Sequence, residues 1–351
     1  SYLQKASSLI RVVTLAGEKV RDVKFPGLGS AVGLVGHPED DVAYFGYESY
    51  TRPLTIYKTS VKRGGTRVYD AAKVPFESSS YTTRQVFYPS KDGTRVSMFV
   101  VHRKGMKRDG TTPFLLYGYG GFNISLVPRF RAFYAAWLER GGGLAVPNLR
   151  GGGEYGERWH RAGMLKKKQN TFDDFIAAAE FLVREGYTSS KHLAVRGGSN
   201  GGLLVGAFLT QRPKLARAAA CHVPLLDMVR FHLFGSGKTW VTEYGSPENE
   251  EQFKVLFGYS PYHRVRKGAA YPSVLLLSAD ADDRVDPVHA RKFAAALRWA
   301  TSSGEPVLLR VETKAGHGGG DMLCKRIRRS VDEMSFLLNE LGSETRRRER
   351  N

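Results

Sequence analysis

The chain has 351 residues, of which 42% are hydrophobic, 25% are charged and 39 are glycine. This composition is typical of a globular protein with enough apolar side chains for a core, and it excludes the disordered, collagen-like and coiled-coil classes. The apolar runs, such as residues 274–277, are far shorter than the ~20 residues that a membrane-spanning helix needs. We therefore expect no membrane partner.

The formal net charge is +19, from 53 Lys and Arg against 34 Asp and Glu, a balance that also occurs in proteins that bind nucleic acid. The basic residues are scattered, for example at 103–104, 166–168 and 328–329, and the densest run, 346–350, follows the last apolar residue. A scattered distribution is typical of a solvated basic surface. We therefore expect no nucleic-acid partner, and a basic polar tail over residues 343–351.

Cys221 and Cys324 stand far apart and form no Cys-x-x-Cys pattern, so the sequence indicates neither a disulfide framework nor a zinc site. We expect both thiols to be buried. The sequence begins at Ser1 and shows no charged-then-apolar leader. We expect a cytoplasmic location, with the periplasm as the alternative if an N-terminal part is missing.

The N-terminal part contains short β-rich runs separated by Gly, Pro and Asp turns, at residues 10–14, 31–35, 41–45, 54–58 and 66–69. This pattern predicts an antiparallel meander. The last four runs would make one propeller blade, and the first would be left over from a preceding blade. Because propellers need about four to eight blades, one blade cannot close a ring. We therefore expect residues 1–75 to be a propeller remnant with a linker, and the chain to be the C-terminal part of a longer protein.

Residues 76–342 are predicted to form an α/β domain. A hairpin is predicted from residues 85–88 and 96–102, around a Lys-Asp-Gly turn, and strand-like and helix-like segments alternate after it. The predicted strands are 113–117, 143–146, 192–196, 218–222, 273–278 and 307–311, and the predicted helices are 130–140, 172–185, 202–211, 287–301 and 322–341. Thr171 and Asp174 are expected to form a capping box at the second helix. The alternation predicts a mainly parallel sheet that is covered on both faces, with ligand chemistry at the carboxyl ends of its strands.

Ser199 lies in a Gly-x-Ser-x-Gly segment, residues 197–201, between a predicted strand and an apolar helix. This is the pattern of a nucleophile elbow. The glycines let the strand and the helix approach closely. The sharp turn exposes the serine hydroxyl at a helix N-terminus, where backbone N–H groups can receive an oxyanion. Ser199 is therefore a predicted nucleophile, and the alternative interpretation is a glycine-rich turn that binds phosphate.

Serine needs a base, and in α/β-hydrolases the acid and the histidine follow the serine in that order. His289 lies in the start of a predicted helix, whereas His317 lies in a glycine-rich loop between the last predicted strand and the last helix. His317 is therefore the predicted base. The acid is expected in the segment after the fifth predicted strand, where the spacing leaves Asp280, Asp282 and Asp283 open.

Six segments together resemble the prolyl oligopeptidase family, which comprises serine peptidases with a propeller over an α/β-hydrolase domain. These segments are 118–122, 148–156, 197–202, 240–244, 282–284 and 316–318. The resemblance extends over residues 9–341. It departs from the family at the N-terminus, because most blades and the N-terminal catalytic segment have no counterpart in the 351 residues.

The resemblance implies a catalytic triad with Ser199 as the nucleophile, Asp282 as the acid and His317 as the base. It also implies that the Tyr119 hydroxyl and the backbone N–H of Asn200 form the oxyanion hole. Each such donor is typically worth ~10² to 10³ in turnover.

The resemblance further implies a pocket for the residue before the scissile bond. Its walls are expected to be Phe122, Trp240, Tyr244 and Val285, and Arg284 is expected to hold a substrate carbonyl. Aromatic walls suit the flat ring of proline, which has no N–H to satisfy. The role of Glu154 stays open between a position near the amino end of the substrate and a surface carboxylate.

Taken together, these expectations describe a serine oligopeptidase that cuts short peptides on the carboxyl side of proline through an acyl-enzyme. The expected partners are short proline-containing peptides, the expected state is a monomer, and no metal or cofactor is implied. The alternatives are a basic-residue-specific oligopeptidase of the same family, a carboxylesterase and, from another class, an inactive hydrolase-fold binding protein.

Overall fold

The architecture comes from a computed structural model, which describes residues 1–318 and 322–342. The predicted basic tail, residues 343–351, lies outside the described residues. Within the described part, none of the helices has both the length and the apolar character that a membrane crossing would need.

Residues 1–71 form small antiparallel sheets. Their strands are β1 (Tyr2–Gln4), β2 (Ser7–Leu9), β3 (Arg11–Val13), β4 (Lys19–Asp22), β5 (Ser30–Val35), β6 (Val42–Glu48), β7 (Thr55–Ser60) and β8 (Thr66–Ala71). Strands β5 to β8 pair in chain order as a four-stranded meander, which confirms the predicted blade. The run at 10–14 contains β3, which pairs with β4, a strand that the sequence analysis missed.

The blade is held by a small aromatic core on one face. Phe45 and Tyr47 from β6 and Tyr57 from β7 are buried together with Ile10 and Val23. Along β7 buried and half-buried residues alternate, as expected for a strand with one covered face.

The second region is built on one eight-stranded sheet within the described residues. Its strands are β9 (Tyr81–Pro89), β10 (Arg95–Arg103), β11 (Phe114–Tyr117), β12 (Gly143–Pro147), β13 (Leu193–Gly198), β14 (Ala218–His222), β15 (Ser273–Ala279) and β16 (Val307–Glu312). The strand order is β16-β15-β14-β13-β11-β12-β10-β9. Strands β11 to β16 are parallel, and β9 and β10 add an antiparallel hairpin at one edge, which confirms the predicted mostly parallel sheet.

The five predicted helices are present, with ends displaced by a few residues, together with three that were not predicted, α2, α5 and α6, all counted within the described residues. The helices are α1 (Ala132–Glu139), α2 (Glu157–Arg161), α3 (Gln169–Arg184), α4 (Asn200–Gln211), α5 (Val241–Tyr244), α6 (Glu250–Tyr259), α7 (Val288–Ala300) and α8 (Leu323–Glu340). Helices α2 and α5 span about one turn, and α6 buries only Leu256 and Tyr259. Such segments carry too little apolar periodicity to be recognised.

Helices cover the large sheet on both faces. One core cluster contains side chains of α3, α4 and α7, such as Phe175, Leu204 and Phe293, and the other contains Trp137 of α1 and Leu337 of α8. The inner strands between the two layers are therefore buried on both sides. This arrangement makes the strand ends rigid supports for the loops that follow them.

The capping-box prediction is wrong. Helix α3 begins at Gln169, and Thr171 lies inside its first turn, where the hydroxyl donates to the Arg150 carbonyl oxygen over 2.8 Å. Asp174 is fully buried and accepts hydrogen bonds from the Arg150 guanidinium at 2.6 and 3.1 Å. The pairing with Arg150 takes the carboxylate away from the helix N-terminus.

The cysteine prediction is half right. Cys221 on β14 is buried, whereas Cys324 is exposed near the start of α8. The solvent-facing side of this amphipathic helix carries the Cys324 thiol.

Candidate active site

Ser199 lies between β13 and α4, at the carboxyl edge of the large sheet. Its φ of 57° is in the left-handed region, a strained conformation for a residue with a side chain. Its backbone N–H donates to the His222 carbonyl oxygen over 2.9 Å, which ties the turn to the neighbouring strand. A Cβ at Gly197 would lie 2.1 Å from the Gly201 carbonyl oxygen, so this close turn requires glycine.

His317 and Asp282 contact each other through the imidazole and the carboxylate. The Nδ1 atom of His317 lies 2.7 Å from Oδ2 and 3.0 Å from Oδ1 of Asp282. A carboxylate can only accept, so Nδ1 donates to it, and in the neutral imidazole Nε2 is then the acceptor. The Asp282 side chain is only 1% exposed, and its Oδ1 also accepts the backbone N–H groups of Arg284 and Val285 at 3.1 and 3.0 Å.

The three candidate aspartates differ in their surroundings. Asp280 and Asp283 are exposed, whereas Asp282 is buried and faces His317. The loops after β15 and β16 run side by side, with the Ala281 N–H donating to the Ala315 carbonyl oxygen over 3.1 Å. Adjacent parallel strands therefore bring the acid loop to the histidine loop.

Tyr119 lies in the turn after β11, opposite the start of α4. Burial raises the pKa of its hydroxyl to about 12, so the hydroxyl keeps its proton at neutral pH and can donate a hydrogen bond. Asn200 is the first residue of α4, where backbone N–H groups have no partner within the helix. Its side-chain Nδ2 donates to the Tyr119 carbonyl oxygen over 2.6 Å, and its Oδ1 accepts the Tyr244 hydroxyl at 2.8 Å.

A cavity of about 330 Å³ opens beside Ser199. It brings together every predicted oxyanion and pocket residue. Its lining comprises Tyr119, Phe122, Ile124, Ser199, Asn200, Leu225, Thr239, Trp240, Thr242, Tyr244, Arg284 and Val285. Asp282 and His317 lie on the loops after β15 and β16 and are not part of this lining.

The cavity wall is aromatic. The ring of Tyr244 is buried and meets the ring of Phe122 edge-on, with centroids 5.5 Å apart and an interplanar angle of 86°. Trp240 is half-buried at the end of the segment that leads into α5. Among the described residues that line the cavity there is no Asp or Glu, and Arg284 is the one charged side chain.

Glu154 does not line the cavity. It is only 4% exposed, its Oε1 accepts the Leu126 N–H at 2.7 Å, and its Oε2 has no hydrogen-bond partner among the described residues. Burial raises the pKa of Glu154 to about 7. The residue therefore holds the loop at Leu126 from inside the protein and is not a surface carboxylate.

Sequence reasoning missed a buried polar cluster behind the cavity. Lys168 belongs to the basic triplet that was expected to be solvated, but it is fully buried, and its Nζ donates to the Gly120 carbonyl oxygen over 2.9 Å. Glu243 accepts the Phe122 N–H at 3.0 Å, and its other oxygen lies 2.8 Å from His160 Nε2. The acidic residue inside the 240–244 motif was the signal that could have indicated this cluster.

Comparison with known proteins places this site in a family. Residues 128–344 match the model of the prolyl oligopeptidase family, and residues 1–72 match the model of the prolyl oligopeptidase N-terminal β-propeller domain. The chain belongs to the prolyl oligopeptidase family. The two matched ranges agree with the order of the blade and the α/β sheet in the fold.

Individual members of the prolyl oligopeptidase family are similar over nearly the whole chain. The prolyl endopeptidase of Elizabethkingia miricola is 46% identical over 343 residues, which cover 97% of this chain and 49% of the relative. A chain from a structural study of two prolyl endopeptidases has 56% identity and a TM-score of 0.92, covering 98% of this chain and 51% of that one. Prolyl oligopeptidase B from Galerina marginata, bound to a 35mer substrate, has 33% identity and a TM-score of 0.90, covering 97% of this chain and 49% of its own. The chain thus spans about half the length of the relatives it matches.

Proposed function

We propose that this chain carries the active site of a serine oligopeptidase that hydrolyses short peptides on the carboxyl side of proline through an acyl-enzyme. The observation that carries the proposal is the cavity beside Ser199, whose lining includes Phe122, Trp240 and Tyr244. Membership of the prolyl oligopeptidase family supports it, as do relatives named prolyl endopeptidases.

In the proposed acylation step, the Ser199 Oγ attacks the carbonyl carbon of the proline residue, and His317 Nε2 takes the hydroxyl proton. Asp282 holds the imidazole in the required tautomer through Nδ1 and stabilises the imidazolium without taking the proton. The oxyanion accepts hydrogen bonds from the Tyr119 hydroxyl and the Asn200 backbone N–H. When the carbon–nitrogen bond breaks, His317 gives its proton to the leaving amine, and an ester on Ser199 remains.

In the proposed deacylation step, a water molecule attacks the ester carbon while His317 Nε2 takes one of its protons. The second tetrahedral intermediate uses the same two donors, from Tyr119 and Asn200. Its collapse breaks the ester bond, and the proton returns from His317 to the Ser199 Oγ. The peptide product leaves with proline at its carboxyl end.

The proposed preference for proline follows from the charge and shape of the cavity. A proline ring has no side-chain polar group and stacks on an indole such as Trp240. A Lys or Arg side chain in the same place would meet Arg284 and would find no carboxylate in the described lining. Arg284 instead suits a substrate carbonyl, because its guanidinium can donate to that oxygen.

The test uses the wild-type protein and the variant Ser199→Ala with two fluorogenic peptides that differ only in proline or arginine before the scissile bond. We expect the wild type to prefer the proline peptide and to be labelled by a fluorophosphonate, and the variant to lose both turnover and labelling. Residual acyl-enzyme formation in the variant would remove Ser199 from its role. A preference for the arginine peptide would identify the basic-residue-specific alternative, cleavage of simple esters alone would identify the carboxylesterase, and a wild type without labelling would identify an inactive binding protein.

We further propose a monomeric protein in the cytoplasm, without nucleic-acid or membrane partners. Sedimentation equilibrium, cell fractionation and binding to DNA and to anionic vesicles test these points. A dimer, a periplasmic fraction or tight binding at physiological salt would contradict them.

A further inference from the structure

A buried ion pair lies directly behind the segment that carries Tyr119 and Phe122. The Nζ of Lys168 is 3.6 Å from Oε1 of Glu243, and the two side chains are 1% and 4% exposed. Each partner also makes one hydrogen bond to the segment. Lys168 donates to the carbonyl oxygen of Gly120, next to Tyr119, and Glu243 accepts the N–H of Phe122.

The segment has a conformation that needs support. Gly120, Phe122 and Asn123 have φ values of 63°, 57° and 56°, so two residues with side chains occupy the left-handed region. Such residues are strained and persist when the surrounding structure holds them. A Cβ at Gly121 would lie 2.6 Å from Asn200 Nδ2, so the segment also packs tightly against the start of α4.

The ion pair is an inefficient way to stabilise the fold, because burying it costs desolvation free energy. Two buried charges lose their hydration, and an apolar pair of similar volume is often as stable or more stable. Burial lowers the pKa of Lys168 to about 8, which shows the cost of placing the ammonium group there. A function in holding nearby backbone in place explains why charged groups occupy these positions.

His160 completes the arrangement from the side of α2. Its Nε2 lies 2.8 Å from Oε2 of Glu243, opposite the oxygen that accepts the Phe122 N–H. The carboxylate of Glu243 is therefore held at both oxygens. The Nζ of Lys168 also lies 5.4 Å from the centroid of the Tyr244 ring, a residue of the cavity wall.

We propose that Lys168 and Glu243 are positioning residues that hold the Tyr119 hydroxyl at the oxyanion and the Phe122 ring at the cavity wall. This inference rests on the proposed peptidase function. Lys168 acts on the oxyanion side, through Gly120, and Glu243 acts on the pocket side, through Phe122. Neither side chain lines the cavity, so both act through the backbone that they bind.

Two double variants separate these roles from stability. The Met/Leu variant, Lys168→Met with Glu243→Leu, removes both backbone contacts and leaves no unpaired buried charge at the two positions. The Met/Gln variant, Lys168→Met with Glu243→Gln, keeps a side-chain oxygen that can accept the Phe122 N–H. A control, Arg217→Met with Glu340→Gln, removes an ion pair of 3.1 Å at the other end of β14, away from Ser199, together with the pairing of Arg217 with Glu305.

The measurements are the rate of labelling by a fluorophosphonate, kcat and KM for a proline peptide, and the melting temperature. We expect the Met/Gln variant to lose about tenfold in kcat and in labelling rate, in line with partial loss of an oxyanion donor worth ~10² to 10³. We expect its KM to stay within twofold of the wild-type value. The Met/Leu variant should show the same loss and, in addition, a KM raised about tenfold, because the Phe122 wall is released.

The control variant should melt at a lower temperature while its kcat, KM and labelling rate stay unchanged. Wild-type rates and KM in the Met/Leu variant would overturn the inference, as would losses that follow the melting temperature in all three variants. If Met/Leu does not fold, a wild-type kcat in the Met/Gln variant overturns it. A wild type that does not cleave proline peptides would contradict the proposed function. The labelling rates of the variants would still test the positioning roles of Lys168 and Glu243.

Discussion

The blade and the large sheet bury their strands in different ways. All seven residues of β15 are buried, because helices cover both faces of the large sheet. The blade exposes large apolar side chains, namely Val32, Leu34, Val35, Val68 and Tyr69. The inner strands of the large sheet are therefore held on both faces, whereas one face of the blade leaves apolar side chains exposed.

The residues of the proposed chemistry belong to the large sheet. Ser199, Asp282 and His317 follow β13, β15 and β16. Strands β13 and β15 lie inside the sheet and are held by packing, whereas β16 is an edge strand. Rigid supports matter because a displacement of about 1 Å at a catalytic group can cost on the order of 10²-fold in rate. Substitutions behind the site should therefore affect turnover, while substitutions on the open faces of the blade should not.

A large loss of turnover is expected for Asp282→Asn, in the loop after β15 of the large sheet. The amide cannot hold Nδ1–H of His317 as the carboxylate does, so we expect a loss of about 10⁴-fold in kcat for a proline peptide. Asp280→Asn and Asp283→Asn serve as controls, because both aspartates are exposed, and each should lose less than about tenfold. Steady-state kinetics on the three variants is the measurement. A greater loss at Asp280 or Asp283 would show that the acid has been assigned to the wrong residue.

A stability effect is expected at Glu154, whose pKa is raised by burial from 4.5 to about 7. The Glu154 carboxyl group ionises at lower pH in the unfolded chain than in the folded protein. Its contribution to the free energy of unfolding is therefore complete below pH 4.5 and is lost as the pH rises to about 7. When the shift in pKa is converted into a free energy, the loss of stability amounts to about 3 kcal/mol. Glu154→Gln stays neutral and should abolish this loss, making the variant more stable than the wild type at pH 8.

Unfolding free energies at pH 5 and pH 8 measure the Glu154 effect. Glu251→Gln is the matched control, because Glu251 is exposed on α6, and it should keep the pH dependence of the wild type. A Glu154→Gln variant with the same pH dependence as the wild type would mean that the carboxyl group ionises normally in the folded protein.

The next effect concerns the cavity wall. Trp240→Ala should lower kcat/KM for a proline peptide by about ten- to 100-fold, while reaction with a small activated ester falls less, since stacking is lost and the oxyanion donors remain. Truncation of this half-buried aromatic side chain can also lower stability, so a thermal melt accompanies the kinetics. Equal losses on both substrates with an unchanged melt would place the specificity site elsewhere.

A small effect on stability is expected for a substitution on the exposed face of the blade. Val68 in the blade is 53% exposed, whereas Val274 in β15 is fully buried. Val68→Thr should change the free energy of unfolding by less than about 0.5 kcal/mol. Val274→Thr should cost about 1–3 kcal/mol, because it buries a hydroxyl among apolar groups. Denaturant unfolding of both variants is the measurement, and equal losses of unfolding free energy would mean that the Val68 side chain is buried in the protein.

The elbow at Ser199 could be predicted from sequence because its glycines and its place between a strand and a helix are local features. The choice of Asp282 over Asp280 and Asp283 could not be made from spacing, since it depends on which carboxylate the paired loops bury against His317. The four-stranded blade and the parallel sheet were also predictable, because each strand type has its own pattern of apolar residues.

Other features escaped sequence reasoning because a distant partner decides them. Lys168 lies in a basic run, and its burial depends on Glu243, 75 positions away by their residue numbers. Asp174 matched a capping pattern, yet Arg150 binds it in the core. Charged side chains with long-range partners are therefore the residues that local patterns misplace most readily.

A crystal structure of the protein with a short peptide aldehyde that ends in proline would show the proposed nucleophile, oxyanion hole and proline pocket together. We predict a covalent bond between the Ser199 Oγ and the aldehyde carbon, with the resulting oxygen between the Tyr119 hydroxyl and the Asn200 N–H. The proline ring should lie in the cavity against Trp240. A bond to another residue would remove Ser199 as the nucleophile, and a proline ring outside the cavity with the carbon bound to Ser199 would remove the cavity as the proline pocket.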